Sequence, residues 1–184
     1  MKKTLITRRI AILAAASLSF LAACGGSSND SSKASDTTVA ASPGNGKKIL
    51  SLSPTATEML YAIGAGDQVV AVDSLSNYPT EAADKVTKIS AFEPNAEAIL
   101  GYSPDIVLIS NDMNKITEQL KTAKPDITVW TGAMANTIDD VYAQITDLGK
   151  VTGHDTEAAA LITKMKTDLA AATEGVTAPE GASY

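Results

Sequence analysis

The sequence predicts an α/β fold: an open, mostly parallel β-sheet with helices on both faces. Three observations predict it. From Lys47 onward, short apolar runs alternate with stretches of helical periodicity, the pattern of strand–helix–strand units. Residues 69–72 (VVAV) and 106–109 (IVLI) are apolar at every position, as strands covered on both faces are, rather than alternating like half-exposed ones. Finally, the 184 residues contain one Cys and one His. Neither a disulfide framework nor a Cys/His-rich metal cage can hold such a chain together, so an apolar core must.

Each element follows from local chemistry. Residues 49–53 (ILSLS) read as the first strand. Pro54 and Thr55 open a helix whose Ala56, Met59, Leu60 and Ile63 share one face, and Gly64 and Gly66 stop it. Residues 69–72 form the second strand. The polar stretch 74–84, with Pro79, reads as a loop holding one helical turn, and residues 88–89 as a brief strand. Asn95 caps a short helix to Leu100. Pro104 and Asp105 introduce the strand 106–109. A helix follows over 114–123, with Ile116 and Leu120 inward. Residues 124–126 (KPD) break it before a strand at 127–130. Thr137-x-x-Asp140 forms a capping box. Its helix carries Ile138, Val141, Tyr142, Ile145, Leu148 and Val151 on one face. Gly153-His154-Asp155 interrupts, with His154 read as a C-terminal cap residue. The last helix, 156–173, lines up Ala158, Leu161, Ile162, Met165, Leu169 and Ala172 and spans roughly 27 Å.

The arrangement is Rossmann-like, yet no Gly-x-Gly-x-x-Gly or phosphate-loop lysine follows a strand, so nucleotide binding has no support. Ligands of such sheets sit beyond the carboxyl ends of the strands. Here those ends are residues 53–55, 73–78, 110–112 and 131–133. They are rich in hydroxyls and amides and contain no Lys or Arg.

The first 46 residues are different in kind. Residues 1–23 hold Lys2, Lys3, Arg8 and Arg9 and no acid, and from residue 10 they are the apolar run IAILAAASLSFLAA. A basic start, an apolar middle and a small-residue end make a signal peptide, and 14 apolar residues fall short of the roughly 20 that span a bilayer. Thr7-Arg8-Arg9 leaves general and twin-arginine export both open. Leu21-Ala22-Ala23-Cys24 resembles a bacterial lipobox, which implies a lipid thioether on Cys24 and cleavage before it. Residues 24–46 are Gly-, Ser- and Thr-rich with little to bury, a disordered tether with a reach of about 25–30 Å. The formal charge of -6 becomes more negative once residues 1–23 are removed, because 11 basic residues then face 21 acids. That balance argues against a nucleic-acid partner.

Several segments resemble one family in order. Residues 49–58 (ILSLSPTATE), 64–73 (GAGDQVVAVD), 76–79 (SNYP), 95–99 (NAEAI) and 103–108 (SPDIVL) are similar to the landmarks of the binding proteins that serve ABC importers of cobalamin, haem and iron–siderophore complexes. The resemblance implies a two-lobed binding protein with a rigid connecting helix and its ligand in the cleft between lobes. It divides the chain into a signal peptide (1–23), a tether (24–46), an N-terminal lobe (47–154) and a connector helix leading into a second lobe (155–184). On that reading the chain ends where the second lobe begins.

It further implies a monomer with no cofactor of its own and no resident metal. The ligand would be an iron- or cobalt-containing chelate and the partner an ABC permease. The protein would sit on the outer face of the cell membrane through Cys24. The cleft residues carried over are Ser53, Pro54, Thr55, Leu75, Tyr78, Phe92, Ser110 and Asn111. Helix-start amides near Ser53 would hold an acceptor, and the aromatic faces would stack on a flat ligand. Glu97 matches the acid that docks on a permease arginine, and a carboxylate in a helix first turn suits a charge-assisted pair.

The chain also departs from the family's patterns. Cobalamin binders tend to carry aromatics where this chain has Leu75 and Ser110. Tyr78 is the one candidate for a haem ligand, and the three-His pattern of zinc and manganese importers is absent. A sensor or adhesion ectodomain of the same fold is the alternative function. A hydrolase would need a nucleophile beside a base, and the sequence has neither a Gly-x-Ser-x-Gly elbow nor a placed His. Asp139 and Asp140, adjacent on a helix, point apart and make no catalytic pair.

Overall fold

The computed structural model describes residues 44–176. The signal peptide, Cys24, most of the tether and residues 177–184 lie outside the described residues. Four strands, β1 (Ile49–Leu52), β2 (Val69–Val72), β3 (Ile106–Ile109) and β4 (Thr128–Thr131), form one sheet in the order β2-β1-β3-β4. Every pairing is parallel. Six helices accompany them: α1 (Pro54–Ala62), α2 (Thr80–Ala83), α3 (Ala96–Leu100), α4 (Ile116–Ala123), α5 (Ile138–Thr152) and α6 (Asp155–Thr173).

Strand pleating sorts the core into two layers. Ile49, Val72, Ile106 and Leu108 face α1, α5 and α6, where Met59, Leu60, Ile145 and Leu148 complete the cluster. Leu50, Leu52, Ala71, Val107 and Ile109 face the other way and meet Ile99 of α3 and Ile116 and Leu120 of α4. Both faces of the central strands are therefore buried, which is why their sequences are apolar throughout.

The structure adjusts several sequence expectations. The brief strand expected at 88–89 is instead a single bridge between Val72 and Val86. The expected helix over 114–123 opens as a 3-10 turn (Met113–Lys115) with Asn114 and Lys115 at positive φ, and becomes α-helical at Ile116. Ile138 does not join the buried face of α5. It lies in the first turn at the open end of the sheet and is exposed. The C-cap of α5 is Gly153, with φ of 79°, and His154 contributes only its backbone N–H, to Gly149 O. His154 is instead buried at the N-cap position of α6, its Nδ1 3.2 Å from Thr152 Oγ1 and 3.4 Å from Gln68 Nε2. The folded unit also begins before Lys47. The Asn45 N–H donates to Thr152 O and its Nδ2 to Val151 O, so the end of the tether segment satisfies two carbonyls at the end of α5 that the helix leaves open.

The capping box forms as the sequence predicts. Thr137 Oγ1 accepts from Asp140 N–H, and Asp140 Oδ2 accepts from the N–H groups of Asn136 and Thr137 at 2.9 Å each. These bonds hold the Asp140 carboxyl below its ordinary value of 3.8. A group depressed by folding contributes stability that is present above its unfolded value and lost as pH falls through the folded one. Asp140→Ala is therefore expected to lower the melting temperature at pH 7, and the deficit should shrink as the pH is taken below 3.8. A deficit that stays constant down to acid pH, by circular dichroism, would remove the ionised cap from the account.

Candidate functional site

The strand order places β1 and β3 side by side, and their following segments leave to opposite faces: α1 toward one layer of the core, α4 toward the other. This is a topological switch point, the place where open parallel sheets form a crevice. Ser53 and Ser110, one at each strand end, meet across it, with Ser110 Oγ donating to Ser53 Oγ at 2.9 Å. Ser53 is also the N-cap of α1, its Oγ accepting from Ala56 N–H at 3.3 Å. Below it, Thr57 Oγ1 donates to Ser51 Oγ at 2.9 Å, and Ser51 Oγ donates to Ser53 O at 3.2 Å. A chain of hydroxyls, buried at Ser51, Ser53 and Thr57 and surfacing at Ser110, thus fixes the turn between β1 and α1 against the end of β3.

Beside this seam lies a cavity of about 180 Å³. Pro54, Leu75, Phe92, Ser110 and Asn111 line it, five of the eight residues singled out from sequence, and Asp73 stands among them. Leu75 and Phe92 are 54% and 64% exposed, so their apolar faces are open at the rim. Ser53 forms the buried seam rather than the wall. The helix-start amides narrow to one. Pro54 has no N–H, the Ala56 N–H goes to Ser53 Oγ and the Thr57 N–H to Ser53 O. That leaves the Thr55 amide.

Tyr78 is not brought to this cavity. It is 65% exposed and lines a separate groove of about 650 Å³ with Tyr61, Glu58, Glu81 and Lys85. Burial first, then Glu81, Asp67 and Asp84, push the Tyr61 phenol above its ordinary 10.0. Lys85 Nζ lies 5.9 Å from the Tyr61 ring centre and donates to Gly66 O.

Glu97 is exposed in the first turn of α3, whose N-cap Asn95 accepts from Ala98 N–H at 2.9 Å. It lines a groove of about 620 Å³ between α3 and α4, with Leu100, Glu118 and Gln119. No residue of that groove lines the cavity at the strand ends. The sequence also missed one neighbour, Asp73, which was readable as the acid that closes an apolar run.

A family profile described as "Periplasmic binding protein" matches residues 49–179. The chain belongs to the periplasmic binding protein family. Among its relatives, it is 36% identical over 142 residues to an uncharacterized ABC transporter substrate-binding lipoprotein, YvrC, of Bacillus subtilis, covering 76% of this chain and 44% of that protein. It is 32% identical over 126 residues to a vitamin B12-binding protein of Pectobacterium carotovorum, covering 67% and 44%. In structure it is similar to the periplasmic heme-binding protein BhuT in complex with two hemes. The TM-score is 0.63 at 25% identity, over 70% of this chain and 49% of that one. The chain thus spans about half the length of the family members it matches. All three are named as binding proteins. The all-parallel sheet agrees with the fold expected from sequence, with no antiparallel strand among the described residues.

Proposed function

We propose that this chain provides the first lobe of an extracytoplasmic solute-binding protein that delivers a metal chelate to the permease of an ABC importer. The observation that carries the reading is the cavity at the β1/β3 switch point, walled by residues that the family resemblance had singled out. Its rim is apolar and open, suited to the flat face of a corrinoid, a haem or an iron–siderophore complex. Vitamin B12 and haem are what two similar proteins are named for binding. A cavity of about 180 Å³ is smaller than the few hundred Å³ that enclose a drug-sized ligand. On this reading a second lobe supplies the opposite wall and α6 leads toward it. Leu169, exposed near the end of α6, is an apolar side chain such a neighbour would cover.

The lipid anchor on Cys24, the outer membrane-surface location, the monomeric state and docking through Glu97 belong to the same proposal. The lipobox-like Leu21-Ala22-Ala23-Cys24 and the lipoprotein name of the Bacillus relative support the anchor. The chain is proposed to bind without catalysing. Calorimetric titration of the complete protein with cyanocobalamin, haem and ferric siderophores tests the reading. Saturable binding of at least one, with one site per chain, is expected. Binding of none would sink it.

A further inference from the structure

We infer that Asp73 is the acceptor by which the cleft selects a ligand edge that donates hydrogen bonds, a primary amide or a hydroxyl, over an edge fringed with carboxylates. The inference rests on the chelate-binding reading and adds to it a residue and a ligand class.

Asp73 directly follows β2, at the carboxyl edge of the sheet. Its own N–H donates to Ser51 O at 2.9 Å, which fixes the backbone beside the switch point. Its side chain is 0% exposed, and the residue borders the cavity that Leu75, Phe92, Ser110 and Asn111 line. Oδ1 is occupied: it accepts the Ser76 N–H at 2.9 Å. Among the described residues Oδ2 has no hydrogen-bond partner, and neither has Ser76 Oγ, on a residue 1% exposed. None of the ion pairs among the described residues reaches Asp73.

Buried polar atoms are nearly always paired, and each exception calls for a reason. Here two exceptions fall in one turn, beside a cavity at the position where parallel sheets take their ligands. Oδ2 is itself closed to solvent, so the missing partner is a group that arrives through the cavity and reaches Oδ2 as the turn 73–76 gives way to it. A carboxylate oxygen is an acceptor, so the arriving group must donate. A ligand carboxylate would present a second acceptor and a like charge in a partly dry site, and the strand ends hold no Lys or Arg to offset it. Among metal chelates this separates two flat rings. The edge of a corrin carries primary amides, whereas a haem carries two propionates.

The test uses the complete protein and three probes: cyanocobalamin, cyanocobalamin with one peripheral amide hydrolysed to a carboxylate, and haem. Wild type is expected to bind cyanocobalamin at least tenfold more tightly than at least one of the monocarboxylate isomers, and more tightly than haem. Asp73→Asn keeps an oxygen for the Ser76 N–H and places an NH2 where Oδ2 stood. It should weaken cyanocobalamin at least tenfold and narrow or invert the preference for amide over carboxylate. A merely structural role would weaken all three probes alike and leave that preference in place, which would overturn the inference. Equal affinities of wild type for the amide and for every carboxylate isomer would overturn it without recourse to any variant. Either result leaves chelate binding intact, whereas no binding of any probe by wild type overturns the proposed function as well.

Discussion

Gly149→Leu is expected to separate α6 from the body of the lobe and to cause the largest loss of stability of any single change considered. Gly149 lies in the last turn of α5, where the chain reverses into α6. A Cβ at that position would lie 2.7 Å from Ala158 Cβ, 3.1 Å from His154 O and 3.3 Å from Asp155 Cα. The first is the methyl of a buried residue and the others are backbone, so none can swing aside as the tip of a long side chain could. The reversal is fixed from both sides: His154 N–H donates to Gly149 O at 2.8 Å, and Asn45 holds the end of α5. Replacing a helical Gly by Ala ordinarily gains about 1 kcal/mol. Forcing an extra methyl into a filled site costs about 1–3 kcal/mol, so Gly149→Ala should be neutral to destabilising against the usual trend. Gly149→Leu, which adds three more carbons to the same contact, should lose more than 3 kcal/mol by the same overpacking argument. Urea denaturation followed by circular dichroism reads both. A Gly149→Ala protein more stable than wild type would show that the two helices are not in the close contact described.

What the sequence disclosed depended on whether the deciding interaction was local. The strands at 69–72 and 106–109 were legible because burial on both faces leaves a continuous apolar run. The capping box at Thr137 was legible because both partners lie within four residues. Ile138 was misplaced because helical spacing assigns it to the inward stripe, while the place where that stripe runs past its cover is a tertiary fact. The failed strand at 88–89 is similar: the chain there meets β2 through the Val72–Val86 bridge and the Thr87 Oγ1 bond to Val72 O, and Ile89 O accepts the Ser74 N–H beyond the end of β2.

The site divides in the same way. Strand ends could be named from the order of elements, and Leu75, Phe92, Ser110 and Asn111 do converge. The Ser53–Ser110 bond could not be read, because it depends on β3 rather than β2 completing the switch point. Asp73 reads locally as a loop acid. Its place in the cavity wall beside Ala91 and Phe92 depends on a loop nearly twenty residues further along the chain. Tyr78, three residues beyond Leu75, turns instead into the groove beside α1, and no spacing rule distinguishes the two.

If Glu97 docks on a permease as proposed, Glu97→Arg, introduced into the complete protein and assayed with the ABC permease that the proposal assigns to it, is expected to reduce ligand uptake at least tenfold while ligand affinity stays within about twofold of wild type. The two readouts separate because the surfaces do. The groove holding Glu97, Leu100, Glu118 and Gln119 shares no residue with the cavity at the strand ends. Glu97 is exposed in the first turn of α3 and makes no ion pair with a lysine among the described residues. Its charge is therefore available to a cationic partner, and Glu118 across the groove extends the same potential. Removing one member of a desolvated charge pair costs about 2–5 kcal/mol at an interface, and reversing its sign adds repulsion. A tenfold effect needs only about 1.4 kcal/mol, so even the low end of that range produces the expected loss. Because Glu118 sits on the other wall, Glu118→Arg should have a smaller effect, mainly on the rate of association and its salt dependence, as rim charges do. Raised salt should then weaken uptake by wild type more than by Glu97→Arg. Uptake by Glu97→Arg equal to that of wild type, at any ionic strength, would remove the docking role and leave the groove between α3 and α4 without a partner of this kind.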